Sequence, residues 1–285
     1  MKKLISQPFI LLLALLLVGA SNFSLAQNAL SPYNATIETE EPSPLSPPMI
    51  QDEINPFSLR PIPKSHIAFQ KTLWLRLSFK QKTNLPLWYA GHELSKFLIE
   101  NALAGKITAY QDDKLEKVFS REELLEKLRE ESTENSLQND STLHLIDFAE
   151  ISTLEIKEDY ILDNRHSRMI HDVLAFTLIL PHNAKGNSLG LTQKIVSFSY
   201  KEIIEKLYRP LKEDYVVIET TKSNGHIPNL ETLIDARFFH GYIVKYDNFK
   251  DDYFEDKYND KREAALKCIQ YQEVLIEFEG NLWEY

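Results

Sequence analysis

The chain has 285 residues, with 32 lysines and arginines against 42 aspartates and glutamates, a formal charge of -10. That acidic balance argues against binding to nucleic acid or anionic lipid, which need basic surface, and suits a soluble partner with a basic face. Cys268 is the single cysteine, so no internal disulfide can form and the core must hold by packing.

In chain order, Lys2 and Lys3 precede an apolar run from Phe9 to Val18, and Ser24-Leu25-Ala26 supplies a small-x-small cut site. Residues 1–26 read as a cleaved signal peptide; a tail-end membrane anchor is the second reading, set back because small residues follow at once. No cysteine lies near the cut, so the exported chain is expected to begin near Gln27 without lipid and without direct membrane insertion. Removing 26 residues and two lysines leaves 259 residues at charge -12, enough for one large or two small domains.

Eight of the thirteen prolines fall between Pro32 and Pro63, so residues 27–64 are expected to form an extended arm. A spacer is the first reading and a strap docked on a neighbour the second. The stretch TLWLRLSFKQK fits two patterns: Leu73, Leu75, Leu77 and Phe79 alternate as in a strand, whereas Ser65 could cap a helix carrying Ile67, Trp74 and Leu77. Glu93 to Ala104 predicts a helix with Leu94, Phe97, Leu98 and Ala102 on one stripe and Gly105 as its stop, followed by a short strand over Ile107 to Tyr110. Ser120-Arg-Glu-Glu123 is a capping box before Leu124, Leu125 and Leu128.

Glu130 to Thr142 reads as a surface loop, and Leu143 to Leu162 as edge or half-buried strands. Ile170, Leu174, Phe176, Leu178 and Leu180 are expected on one face of a strand that Pro181 ends. A strand over Lys194 to Ser199 leads into a helix aligning Ile203, Ile204, Leu207 and Tyr208. Asn229 is expected to cap a helix bearing Leu230, Leu233, Ile234, Arg237 and Phe238. The last helix starts near Asp260 with the seam Ala264, Cys268, Tyr271, Leu275, Phe278 and Leu282. Strands interrupted by helices without regular βαβ alternation predict an α+β fold, with mainly antiparallel short strands in one compact domain over residues 65–285.

Catalytic signatures fail one by one. HELSK at His92 offers Lys96 where a zincin's second ligand belongs, and His166 and His171 are badly spaced for one helical or strand face. There is no GxSxG, GxxxxGK or GxGxxG pattern, and DNFKDD and KYNDKRE lack the glycine and terminal glutamate of an EF-hand loop. Cys268 sits on an apolar seam, where packing is the expected role. Nothing selects a catalytic pair from the many acids. No cofactor is implied.

Four segments in register resemble the gliding-motility protein family GldN, also called PorN, of the Bacteroidetes type IX secretion system. WLRLSFKQKTNLP keeps Trp74, Lys82, Asn84 and Pro86, departs at Leu75, Ser78 and Gln81, and is followed by a matching stretch from Phe97 to Tyr110. Glu158, Asp159, Tyr160, Asp163, Ser167 and Met169 match the second motif, with Asp172 where an arginine is expected. Arg237, Phe239, Tyr242, Ile243, Lys245, Asn248 and Asp251 match the third, and Glu279, Leu282, Trp283, Glu284 and Tyr285 the fourth.

The resemblance implies a non-catalytic, periplasmic protein held at the outer membrane through a lipoprotein of the GldK (PorK) type. It implies a ring containing copies of the chain, working with the GldL–GldM motor as a further candidate partner. Trp74, Asn84, Pro86, Tyr110, Glu158, Tyr160, Asp163, Ser167, Met169, Arg237, Phe239, Tyr242, Lys245, Asn248, Asp251, Trp283 and Tyr285 become candidates for structural or interface roles. Trp283 and Tyr285 are expected to clasp the last helix against the domain or to face a ring neighbour. A periplasmic hydrolase and a small-ligand binding protein stand as alternatives.

Overall fold

The computed structural model describes residues 53–89, 92–129, 145–185, 187, 190–210, 230–258 and 260–282. The stretch that fits both strand and helix is strand β1, Ile67–Ser78. The strand solution buries Leu73, Leu75 and Leu77 together, and their alternates Trp74 and Arg76 turn to the other face. β1 pairs antiparallel with β4 (Thr153–Asp163) on one side and with β7 (Tyr242–Tyr246) on the other. β4 pairs with β5 (Arg168–Leu180) and β5 with β6 (Gln193–Ser199), completing a five-stranded antiparallel sheet of order β6-β5-β4-β1-β7. β2 (Trp88–Tyr89) and β3 (His92–Glu93) form a small separate ladder.

Three strand readings need correction. β4 is no edge or half-buried strand: it lies in the middle of the sheet, nearly all of it buried. Its alternating Glu155, Lys157 and Asp159 resemble a solvated face but meet partners on the protein itself. In β5, a bulge opposite Lys157 and Glu158 inserts Leu174, so Val173 joins Phe176, Leu178 and Leu180 in the core and Leu174 does not. The expected strand over Ile107–Tyr110 reduces to Tyr110, which bridges Val118 and the outer side of β6 at Ser197.

The helices follow their local signals more closely. α1 (Leu94–Leu103) ends at Gly105, whose φ of +73° is the left-handed stop that glycine permits. Lys106 N–H then donates to Asn101 O and Gly105 N–H to Ala102 O, closing the helix end. The capping box forms as expected at α2 (Arg121–Lys127): Ser120 Oγ accepts from Glu123 N–H, and Glu123 accepts from Ser120 N–H. α3 (Tyr200–Ile203) runs on as a π-turn over Ile204–Tyr208, burying Ile203, Ile204 and Leu207.

α4 (Leu230–Asp235) is shorter than its apolar pattern suggests. Arg237 takes φ +53°, with its N–H donating to Ile234 O and Phe238 N–H to Leu233 O, so Phe238 turns outward. α5 (Phe254–Lys257) precedes the long α6 (Lys261–Leu282). The α6 seam docks as expected, with Cys268 in the core, Tyr271 stacked on Tyr246 at 4.4 Å and Phe278 against Phe69 at 4.8 Å.

One continuous core joins Leu73, Leu75 and Leu77 of β1, Ile156 of β4 and Phe176 of β5 to Leu98 and Ile99 of α1, Leu207 and Leu233. Burial of this apolar surface is the dominant stabilising term for a disulfide-free chain. The described end of the proline-rich stretch packs on the same domain: Ser58 is buried, Lys201 Nζ donates to Pro56 O, and Arg60 pairs with Glu231 and Asp235 of α4. The surface loop 130–142, the Asn229 cap, residues 1–52, Trp283 and Tyr285 lie outside the described residues.

Candidate functional site

The motif residues gather into three clusters built around β1, β4 and β7. In the first, β1 and β7 fall out of simple register between Trp74 and Leu75, where Val244 is the extra residue. That bulge sends Ile243 to the core and Lys245 to the opposite face, a separation that plain alternation forbids at i, i+2. Lys245 Nζ then stands 4.3 Å from the Trp74 ring centre and 5.0 Å from that of Tyr253, and pairs with Asp251 at 2.6 Å.

Neighbouring charges extend this cluster. Trp74 Nε1–H donates to Asp113 Oδ2 at 2.8 Å, and Lys157 Nζ to Asp113 O at 3.0 Å. Glu155, 1% exposed at its side chain, takes Arg76, Lys194 and the Tyr253 hydroxyl. Burial works against the charge on Asp113, but Lys194, the Trp74 indole and Lys157 outweigh it and hold its carboxyl below the usual range. Burial, reinforced by Glu155, drives the Tyr253 phenol far upward, so it acts as a donor.

The second cluster centres on Glu158, whose side chain is 0% exposed on the core side of β4. Arg237 Nη1 donates to Oε2 at 2.7 Å and His171 Nδ1 lies 2.9 Å from Oε1. Burial would raise this carboxyl, but the His171 hydrogen bond and the Arg237 charge keep it below its ordinary value. Tyr160 lies beside His171 and donates its hydroxyl to Glu279 of α6. Arg237 also covers the Phe239 ring at 5.1 Å. At the end of β4, Asp163 Oδ1 accepts from the N–H of Arg165 and His166, shaping the hairpin in which Ser167 takes φ +48°; Met169 packs against the core just after it.

The third cluster ties the turn after β1 to the entry of β7. Asn84, fully buried, donates from Nδ2 to Ser78 O and His240 O and accepts His240 N–H at 2.7 Å. Pro86 sits in the same short 3₁₀ segment, and Tyr242 stays 42% exposed with its ring edge-on to His240. Gly241 lies in a tight spot, since a Cβ there would come within 3.2 Å of Arg76 O.

So the structure brings Trp74 to Lys245 and Asp251, Glu158 to Arg237, and Asn84 to His240 beside Tyr242, while Tyr110 stands apart beside β6. Sequence reasoning missed Asp113, Glu155, Tyr253 and Lys194. The alternating charges of β4 were the available signal, but their partners lie dozens of residues away. Among the described residues, no group of three or more His, Cys, Asp or Glu is placed to hold a metal ion. Cys268 is buried, and burial pushes its thiol upward.

An open antiparallel sheet with a helical core on one face, and charged side chains engaged mainly with one another on the other, defines an α+β structural domain. The chain belongs to the gliding motility associated protein GldN family, whose profile matches residues 62–284. Membership makes it a component of the gliding-motility and type IX secretion machinery. None of the curated proteins matches the chain. No helix among the described residues is long and apolar enough to cross a membrane.

Proposed function

We propose that the chain is a non-catalytic building block of a periplasmic ring, formed with copies of itself and an outer-membrane lipoprotein of the GldK/PorK type. The family match over residues 62–284 carries this reading. The side-chain networks support it, because Glu155, Glu158, Lys245 and Arg237 are engaged with groups of the protein itself and brace the sheet as a rigid module. In this reading a signal peptide over residues 1–26 delivers the chain to the periplasm, the arm and the domain from about residue 65 are the working parts, and the GldL–GldM motor is the machine the ring serves.

Sizing of mild-detergent extracts of the cell envelope tests it. The chain should migrate in a very large particle together with the lipoprotein; migration near the mass of a monomer, or turnover of a substrate by the purified chain, overturns the reading.

A further inference from the structure

The turn between β7 and α5 carries the most exposed large apolar side chain described: Phe249, at 106% relative exposure, stands wholly in solvent. A free phenylalanine on a loose loop would be unremarkable, but this loop is fastened on both sides of it. Asp247 N–H donates to Thr72 O, fixing the exit from β7. Asn248 Nδ2 donates to both Tyr246 O and Asp252 O, and its Oδ1 accepts Asp252 N–H. Asp251 N–H closes the turn onto Asn248 O, placing Phe249 and Lys250 at its tip.

Asp251 itself takes φ +58°, a strained conformation for a residue with a side chain, and its carboxylate is held by Lys245 at 2.6 Å. Lys245 in turn lies over Trp74 and Tyr253, and Tyr253 is tied to buried Glu155. The network of the first cluster therefore ends at this tip.

We propose that this frame presents Phe249 as the anchor that enters an apolar pocket, edged by cationic groups, on a partner protein. Binding pays the entropy of ordering contact residues, and a tip already ordered by these hydrogen bonds avoids most of that cost. Buried aromatic anchors at the centre of an interface supply a large share of its affinity. With Asp251 already paired to Lys245, the tip is flanked by Asp247 and Asp252 against Lys250, so its rim keeps an acidic excess that complements a basic edge. The chain's own charge of -10 disfavours a second copy as the owner of that pocket. Lys245, Asn248 and Asp251 become positioning residues, and Phe249 the contact.

The inference rests on the assembly reading and deepens it. The test compares envelope extracts of cells carrying wild-type, Phe249→Ala, Phe249→Leu and, as a control on a second exposed aromatic, Phe238→Ala. Phe249→Ala should melt within about 1 °C of wild-type, because the side chain stands in solvent, yet leave the large particle, with a loss of affinity of roughly 30-fold or more. Phe249→Leu should retain part of the assembly, and Phe238→Ala all of it. Normal assembly by Phe249→Ala overturns the anchor and leaves the assembly reading standing; a wild-type chain running as a monomer overturns both. Concentration-dependent dimerisation of the purified wild-type chain that Phe249→Ala abolishes assigns the pocket to a second copy and overturns the basic partner.

Discussion

Arg237→Ala is the sharpest test of the networks. Glu158 is completely shielded from water, and its two partners are Arg237 at 2.7 Å and His171 at 2.9 Å. Removing one partner of a fully buried pair costs about 3–5 kcal/mol, because the remaining charge stays desolvated. Here Arg237 is 32% exposed and His171 remains, so the cost falls to roughly 2–3 kcal/mol. In a domain of this size each kcal/mol moves the midpoint by about 2–4 °C, giving a drop of roughly 5–10 °C by calorimetry. The acid limb adds a second readout. The folded-state value of Glu158 lies below its ordinary one, so its contribution is present above the unfolded value and is lost as pH falls through the folded one. Without Arg237, His171 alone opposes burial, the carboxyl rises and acid unfolding should start at higher pH. Adding Glu158→Gln to Arg237→Ala should recover part of the loss, since a neutral amide no longer buries a charge. An Arg237→Ala protein that melts within about 1 °C of wild-type and keeps its acid midpoint refutes the reasoning.

Asn84→Ala strands the His240 carbonyl and N–H and leaves Ser78 O with Gln81 N–H alone, and should lower stability by roughly 2–4 kcal/mol, read as a lower urea midpoint with the slope unchanged. Asp172 has its carboxyl raised to about 6, first by burial, with the charge of Asp159 adding to it and Ser58 and Arg60 opposing. A raised acid destabilises the fold increasingly as pH climbs from the unfolded value through about 6, so Asp172→Asn should raise the melting temperature at about pH 7.5, by at most about 3 kcal/mol in stability, and gain little at about pH 4.5. Cys268, buried with a thiol pushed upward, should react with a disulfide reagent in the native protein only at the rate of opening of α6, and immediately in denaturant.

What the sequence makes legible here is what local chemistry decides. The capping box at Ser120, the Gly105 stop and the 264–282 seam each involve residues within a turn or two, so α1, α2 and α6 can be read directly. Bulges cannot: the insertion of Leu174 and of Val244 depends on which strand lies alongside, and each flips a face that simple alternation assigns. The end of α4 is a different miss. Leu230, Leu233, Ile234, Arg237 and Phe238 keep helical spacing, but Arg237 leaves the helix to reach Glu158, a partner 79 positions away. Motif residues such as Asn84 and Lys245 were visible as a pattern, yet their role is to join segments separated by over a hundred residues in the chain.

Asp172 shows how such a departure is absorbed. The family resemblance expects an arginine in this part of β5, and β4 and β5 place Asp172 directly opposite Asp159. An arginine there would meet a carboxylate; an aspartate sets two carboxylates face to face, which costs energy in a buried pair. Gln70 and Thr72 of β1 hydrogen-bond Asp159, while Ser58 hydrogen-bonds Asp172 and Arg60 adds an opposing charge. Ser58 and Arg60 precede the matched span, which starts at residue 62. The reversal and its compensation therefore form a coupled pair of features. They give the docked end of the proline-rich stretch a physical role, which is to offset a charge that the sheet cannot satisfy alone.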